Sequence, residues 1–364
     1  MKGEGNYLKY YPQLDGLRCY AVIAVMIGHW MSWDTKNIIL KNAPWAHGVI
    51  LFFVLSGYLI TNILFEQKEK ITAGVHSLKE SLRIFYARRF FRIFPAYYLL
   101  IFFLLYINYE NSRQVAPWLL TYTSNLLLCL KGTYIGEFNH FWSLAVEEQF
   151  YILWPFVIFL VPRHYTLKTI LFFMAGSVIC RAACFFIFPG NWMLTAYFTP
   201  NLFFPLCIGA LMAYGKRYNE KIAGLFGSFP LLVFSAVLYV IFYVSAQFLL
   251  QSYFLMGVFD EYVFAIACAF IIYRASENRF RYLGKIVLSN EVAVFLGKIS
   301  YGLYLYHLFI IHFFRLYLSP KYGIEVQDKH MTWLLYFIIT VIIALFSYYV
   351  IEKPANRLKK YFKY

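Results

Sequence analysis

The chain has 364 residues, of which 61% are hydrophobic and 14% charged, and its mean hydropathy is +0.59. A soluble domain carries roughly a quarter charged residues, so this composition excludes a water-soluble globular protein and implies an integral membrane protein. The net charge of +15 is read through the positive-inside rule, by which Lys and Arg collect in cytoplasmic loops, and not as a nucleic-acid footprint.

The N-terminal stretch MKGEGNYLKYYPQLDGLR is polar and no small-residue cleavage site follows an apolar core, so no cleavable signal sequence is expected. Residues 1–364 read as one membrane domain, without repeats, a low-complexity tail or a separate soluble part. The apolar runs predict an all-α polytopic fold with ten spans, at 15–33, 47–65, 93–109, 145–161, 168–188, 198–214, 229–248, 256–274, 299–318 and 331–351. The stretch 116–130 is apolar but short, and reads as a re-entrant or interfacial segment. Ten spans put both termini on one side. Of the 33 Lys and Arg, 23 fall in segments on that side and six in the opposite loops, so both termini are expected to be cytoplasmic.

In the first span, LDGLRCYAVIAVMIGHW, ten residues separate Arg18 from His29. Eleven helical steps turn through about 1100°, so the two side chains share one face, with a rise of about 16 Å between them. Ionisable residues inside a membrane are expensive and point to function. At the cytoplasmic mouth of the third span stand Arg88, Arg89 and Arg92. Arg89 and Arg92, three apart on a helix, can clamp a phosphate, as in a coenzyme A thioester. Anchoring against anionic lipid explains the same residues.

Glu147 and Glu148 open the fourth span on the outer side. They suit sugar hydroxyls or the orientation of a histidine; the plainer account is helix N-terminal charge favoured by the macrodipole, with Ser143 as N-cap. His307 lies mid-depth in the ninth span. Like His29, it suits proton abstraction from a hydroxyl, or a core hydrogen bond between helices. Ser56 precedes Gly57 in FFVLSGYLI, where small residues permit close helix packing, and no G-x-S-x-G context marks a nucleophile. The six cysteines (Cys19, Cys129, Cys180, Cys184, Cys207 and Cys268) sit in apolar runs and read as buried apolar residues. No P-loop, GxGxxG, HExxH or zinc spacing occurs, and no metal is expected.

Six strings together resemble the acyltransferase-3 family of membrane acyltransferases: LDGLRCYAVIAVMIGH, FFVLSGYLIT, RRFFRIFPAYY, FWSLAVEEQFYILWP, ISYGLYLYH and IEKPANR. They stand in the family's order over residues 14–357. The resemblance implies O-acylation, with acetyl-CoA or another acyl-CoA as donor substrate. The acceptor hydroxyl would belong to a carbohydrate, such as a surface or exported polysaccharide or its lipid-linked precursor, or to a small molecule.

It implies that Arg18 and His29 are the family's first-span pair, that Arg89 and Arg92 are its donor-binding R-x-x-R, and that Glu147 and Glu148 are its acidic pair. The candidate catalytic residues are then His29, Glu147, Glu148 and His307, and the candidate donor-binding cations Arg18, Arg88, Arg89 and Arg92. Some members carry a C-terminal SGNH hydrolase-like domain; the chain stops soon after its tenth span, so it is expected to act alone or to hand over to a partner. Localisation in a bacterial cytoplasmic membrane follows, with lipid, acyl-CoA, a carbohydrate or glycolipid and possible polysaccharide-assembly proteins as partners. The rival readings are a proton-coupled transporter, whose inverted repeats and paired broken helices are not seen in the sequence, and a scaffold in an assembly complex.

Overall fold

The computed structural model describes residues 10–31, 37, 41–313 and 329–364. The ends of the first and ninth predicted spans lie outside the described residues, with 34–36 and 38–40 of loop 34–46, loop residues 319–328, and the cations Lys36, Arg315 and Lys321. Among the described residues the secondary structure is helical throughout, with no strand.

A helix stands at each of the ten positions predicted for a span. They are α1 (Pro12–Trp30), α2 (Gly48–Thr72), α3 (Leu78–Tyr106), α4 (Phe141–Leu160), α5 (Thr166–Ile187), α6 (Phe203–Tyr218), α7 (Phe229–Val244), α8 (Asp260–Ser276), α9 (Ser300–Phe313) and α10 (Lys329–Ser347). Seven helices among the described residues are long and apolar enough to cross a membrane, or eight if the pair Glu291–Lys298 and Ser300–Ile311, bent by 72°, counts as one span. At 16 residues α6 is short of that length, since about 20 are needed. The stretch predicted as re-entrant holds two short helices, Ser112–Leu120 and Ser124–Lys131, neither long enough to span.

The chain divides into two compact units. The first contains Ile50–Leu82 and Glu110–Arg281; the second contains Pro12–Val49, Arg83–Tyr109 and Tyr282–Tyr364. Within the first, α2 and α6 meet through glycines. A β-carbon on Gly57 would collide with the Leu206 carbonyl oxygen, and one on Gly209 with that of Val54. Missing side chains let the backbones approach, the usual device where lipid gives helices no hydrophobic reason to associate. Lys68 donates to the carbonyl of Ile158 at 2.7 Å and to that of Val161, closing the C-terminus of α4. Arg181, 3% exposed, is paired with Glu261 and donates to the Gly257 carbonyl at 2.8 Å. This charge in α5 is therefore partnered within the unit.

Within the second unit α1 packs on the helices Tyr282–Leu288 and Glu291–Lys298. The close approach again needs glycine: a β-carbon on Gly16 would strike the Leu288 carbonyl, and one on Gly297 that of Asp15. Five of the six cysteines are buried, as expected, and Cys180 is half-buried; all six are free.

Replacing Gly57 by valine drives new carbon atoms into backbone, a change that typically destabilises by about 1–3 kcal/mol. Its melting temperature in detergent should fall clearly below that of the parent. Gly176→Ala, with nothing within 4 Å of the added carbon, should melt as the parent does; identical melting of Gly57→Val would contradict this packing.

Candidate active site

In the second unit α1 runs without a break from Pro12 to Trp30, which keeps Arg18 and His29 on one face about 16 Å apart along the axis. His29 Nδ1 lies 2.8 Å from Nε2 of His307. The rings overlap, with centroids 4.9 Å apart and planes at 28°. His307 Nδ1 in turn lies 2.6 Å from the carbonyl oxygen of Tyr304.

These contacts assign the protons. A carbonyl oxygen only accepts, so His307 Nδ1 carries the hydrogen. A neutral imidazole has one donor and one acceptor, so His307 Nε2 offers a lone pair and His29 Nδ1 donates to it. The remaining nitrogen of neutral His29, Nε2, is left with a lone pair. The indole of Trp30 donates to the His307 carbonyl at 3.3 Å and meets Tyr336 edge-on, which ties α1 to α9 and to α10. His307 is 0% exposed, whereas His29 is exposed. Of the two rings His29 is the one a substrate can reach, and His307 sits behind it.

Arg18 donates to Asp15 Oδ1 at 2.6 Å, with side chains 18% and 7% exposed. Asp15 was not singled out from the sequence, although its i,i+3 spacing was the available signal. The arginine run behaves unevenly. Arg88 Nη1 donates to the Lys359 carbonyl at 3.2 Å and to the Phe362 carbonyl at 2.8 Å, and its guanidinium stacks 4.2 Å from the Tyr364 ring centroid. Arg88 is thus engaged with the C-terminal tail. Arg89 lies over Phe85 at 5.9 Å. Arg92 is exposed and is attracted by Glu352.

Glu352 ends a one-turn π-helix, Tyr348–Glu352, and is buried. Ser347 donates to Glu352 Oε1 at 3.1 Å, and Tyr306 to Ser347 at 2.9 Å. Tyr301 donates to the Ile93 carbonyl at 2.9 Å. Four of the strings singled out in the sequence, those holding Arg18, Arg92, Tyr301 and Glu352, therefore belong to this unit.

The first unit holds the acidic pair. Ser56 Oγ donates to Glu147 Oε1 at 2.7 Å, and Tyr151 donates to Ser56 at 3.1 Å. Gly57 makes the close helix contact; Ser56 instead serves the carboxylate. Glu148, one residue on and about 100° around the helix, is buried at 6% exposure. The neighbouring Gln149 donates to the Tyr122 carbonyl and to Asn125, both at 2.9 Å. Trp142 packs against Tyr197, with ring centroids 4.7 Å apart. Ser143 is not the N-cap: α4 starts at Phe141, and Ser143 donates back to the His140 carbonyl at 3.2 Å, a bond that competes with capping. Among the described residues no group of three or more His, Cys, Asp and Glu could hold a metal ion.

The family model described as an acyltransferase domain matches residues 11–351. Among curated proteins, peptidoglycan O-acetyltransferase OatA of Listeria monocytogenes is 32% identical across 98% of this chain and 57% of its own length. The Bacillus subtilis protein named "Putative peptidoglycan O-acetyltransferase YrhL" is 31% identical across 97% of the chain and 56% of its own. A Staphylococcus aureus protein, "Putative O-acetyltransferase SACOL0978", is 30% identical across 98% and 59%. The chain thus spans somewhat under three fifths of the length of these relatives. No solved structure matches it.

The proton assignment has a direct check. In ¹⁵N-histidine spectra of the protein at neutral pH, both His29 and His307 should be Nδ1–H tautomers, with unprotonated Nε2. An Nε2–H tautomer at His29 would contradict the assignment.

Proposed function

We propose an activity from one premise: the chain belongs to the acyltransferase-3 family, whose model matches it over residues 11–351. It is an O-acetyltransferase of the membrane, moving a short acyl group, acetyl foremost, from cytoplasmic acyl-CoA to a hydroxyl of a carbohydrate. The relatives named for peptidoglycan O-acetylation favour a cell-envelope glycan as acceptor. The observation that carries the reading is the ordered chain from the Tyr304 carbonyl through His307 to His29.

The reading includes ten spans with both termini cytoplasmic, in a bacterial inner membrane. It is supported by a helix at each predicted span and by the 23-to-six distribution of Lys and Arg. The family match, residues 11–351, takes in most of both compact units, which supports one acyltransferase domain over residues 1–364. No resident metal or cofactor is needed: acyl-CoA is a substrate, and the chemistry below uses side chains alone. Polysaccharide-assembly proteins are the partners that fit this activity.

Arg89 and Arg92 hold donor phosphates on the cytoplasmic side, and Arg88 acts through the tail it binds. The axial rise of about 16 Å from Arg18 to His29 is comparable with an extended pantetheine arm, so the thioester reaches His29. His29 Nε2 accepts the proton of the acceptor hydroxyl as its oxygen attacks the thioester carbonyl carbon. The carbon–sulfur bond breaks, and the imidazolium returns the proton to the departing thiolate. The same lone pair can instead attack the thioester and carry the acyl group.

In either case His29 Nδ1 keeps its hydrogen bond to His307, which holds the ring and stabilises its positive charge. His307 is then a positioning residue and His29 the catalytic one. Glu147 and Glu148 are assigned to acceptor hydroxyls. Glu147 already accepts one such bond, from Ser56, and Trp142 offers a ring face for a sugar.

The test supplies purified protein with acetyl-CoA and a glycan acceptor and follows release of free coenzyme A. His29→Ala should reduce release by about 10²–10⁴-fold, the usual contribution of a general base, while the protein remains folded in detergent. Near-parental release by the folded variant would remove His29 from the chemistry. In proteoliposomes, solute uptake without thioester loss would favour the proton-coupled transporter.

A further inference from the structure

Within the first unit a row of aromatic rings leads from exposed loops to the seam between α2 and α4. Tyr134 meets Trp192 edge-on, with ring centroids 5.6 Å apart. Trp192 meets Tyr197 at 5.7 Å, and Tyr197 meets Trp142, in the first turn of α4, at 4.7 Å. Trp142 meets Phe53 of α2 edge-on at 5.8 Å. Phe53 stands three residues before Ser56, whose hydroxyl donates to Glu147. The row thus ends beside that carboxylate. Exposure falls along it: Tyr134 is 47% and Trp192 50% exposed, and Phe53 is buried. Tyr197 and Trp142 are half-buried.

Hydrogen bonds hold the backbone that carries these rings. Asn191 donates to the Cys129 carbonyl at 2.7 Å and accepts from the Leu194 amide at 3.1 Å, capping the short helix Trp192–Tyr197. Asn125 donates to the Tyr197 carbonyl at 3.1 Å. Asn139 accepts from the Ile135 amide at 2.7 Å, which closes the loop that bears Tyr134. Rings placed in advance lower the ordering cost of binding a ligand.

An aromatic face carries negative charge density, and the C–H face of a sugar ring presents positive hydrogens to it. Steps of the observed size are comparable with a sugar ring. An aromatic belt at the membrane interface accounts for exposed Trp and Tyr, but not for a contiguous row that turns inward to a carboxylate.

We propose that Trp192 and Tyr134 form a distal acceptor subsite, so that the acceptor is a chain of sugars lying along the row, with one sugar at Trp142 and Glu147 and later ones over Tyr197, Trp192 and Tyr134. This subsite rests on the carbohydrate reading above and adds to it the length of the acceptor and the residues that select for length.

The experiment titrates the full chain, in nanodiscs without acyl donor, with the dimer and the pentamer of β-1,4-linked N-acetylglucosamine. The parent should bind the pentamer more tightly. Trp192→Ala should weaken the pentamer about three- to tenfold, the scale of one aromatic contact, and leave the dimer unchanged. Tyr134→Ala should act in the same direction, and Trp192→Phe, which keeps a ring, should restore most of the affinity. Tyr253→Ala, which removes an exposed aromatic outside the row, should bind both sugars as the parent does.

Equal pentamer affinity in the parent and Trp192→Ala would overturn the subsite and leave Trp192 as a lipid-facing anchor. So would a loss that affects dimer and pentamer equally, or a parent that does not prefer the pentamer. Release of coenzyme A from acetyl-CoA with a glycan acceptor is read separately. Glycan-dependent release with binding indifferent to Trp192 removes this inference alone, while absence of release in the parent removes the activity itself.

Discussion

The hydrogen bond from His307 Nδ1 to the Tyr304 carbonyl fixes the tautomers of the histidine pair in the second unit. That carbonyl cannot donate, so it takes the only hydrogen a neutral His307 has and turns Nε2 into an acceptor. His29 must then donate from Nδ1, and its own Nε2 is left with a lone pair. With the contact to Tyr304 lost, either tautomer of the pair would satisfy the 2.8 Å bond, and the reactive nitrogen of His29 would no longer be specified. A backbone carbonyl in a buried helix is a rigid orienting group, which suits a role that depends on keeping one tautomer.

The polar side chains of the helical segments follow the rule that charge in an apolar setting needs a partner. Arg18 has Asp15, Arg181 has Glu261, and Lys68 has the carbonyls at the end of α4. Glycines set the distances at which other helix pairs meet. Gly16 and Gly297 let α1 lie directly on its neighbours, and Gly57 and Gly209 do so for α2 and α6. The small residues of LDGLR and LSGYL are thus packing devices, and the polar residues beside them are free for other work.

Much of this was legible in the sequence. The apolar runs located ten helices, and spacing put Arg18 and His29 on one face, because helical period is a local property. The pairing of His29 with His307 was not legible. Both were chosen as bases, but nothing local joins residues 278 apart. For the same reason Ser56 read as a packing residue, whereas its hydroxyl meets Glu147 from another helix. Arg88 read as a further donor-binding cation beside the Arg89–Arg92 pair, and only the folded chain shows it bound to the C-terminal tail. Asp15 is different: its three-residue spacing from Arg18 is a local signal, present in the sequence.

A structure of the protein with a non-reactive thioether analogue of acetyl-CoA tests the donor path most directly. It should find the carbon that replaces the thioester carbonyl within about 3.5 Å of His29 Nε2, a reactive distance, with the analogue's phosphates beside Arg89 and Arg92. An acyl end lying away from His29, or phosphates held by groups of the first unit, would contradict the account.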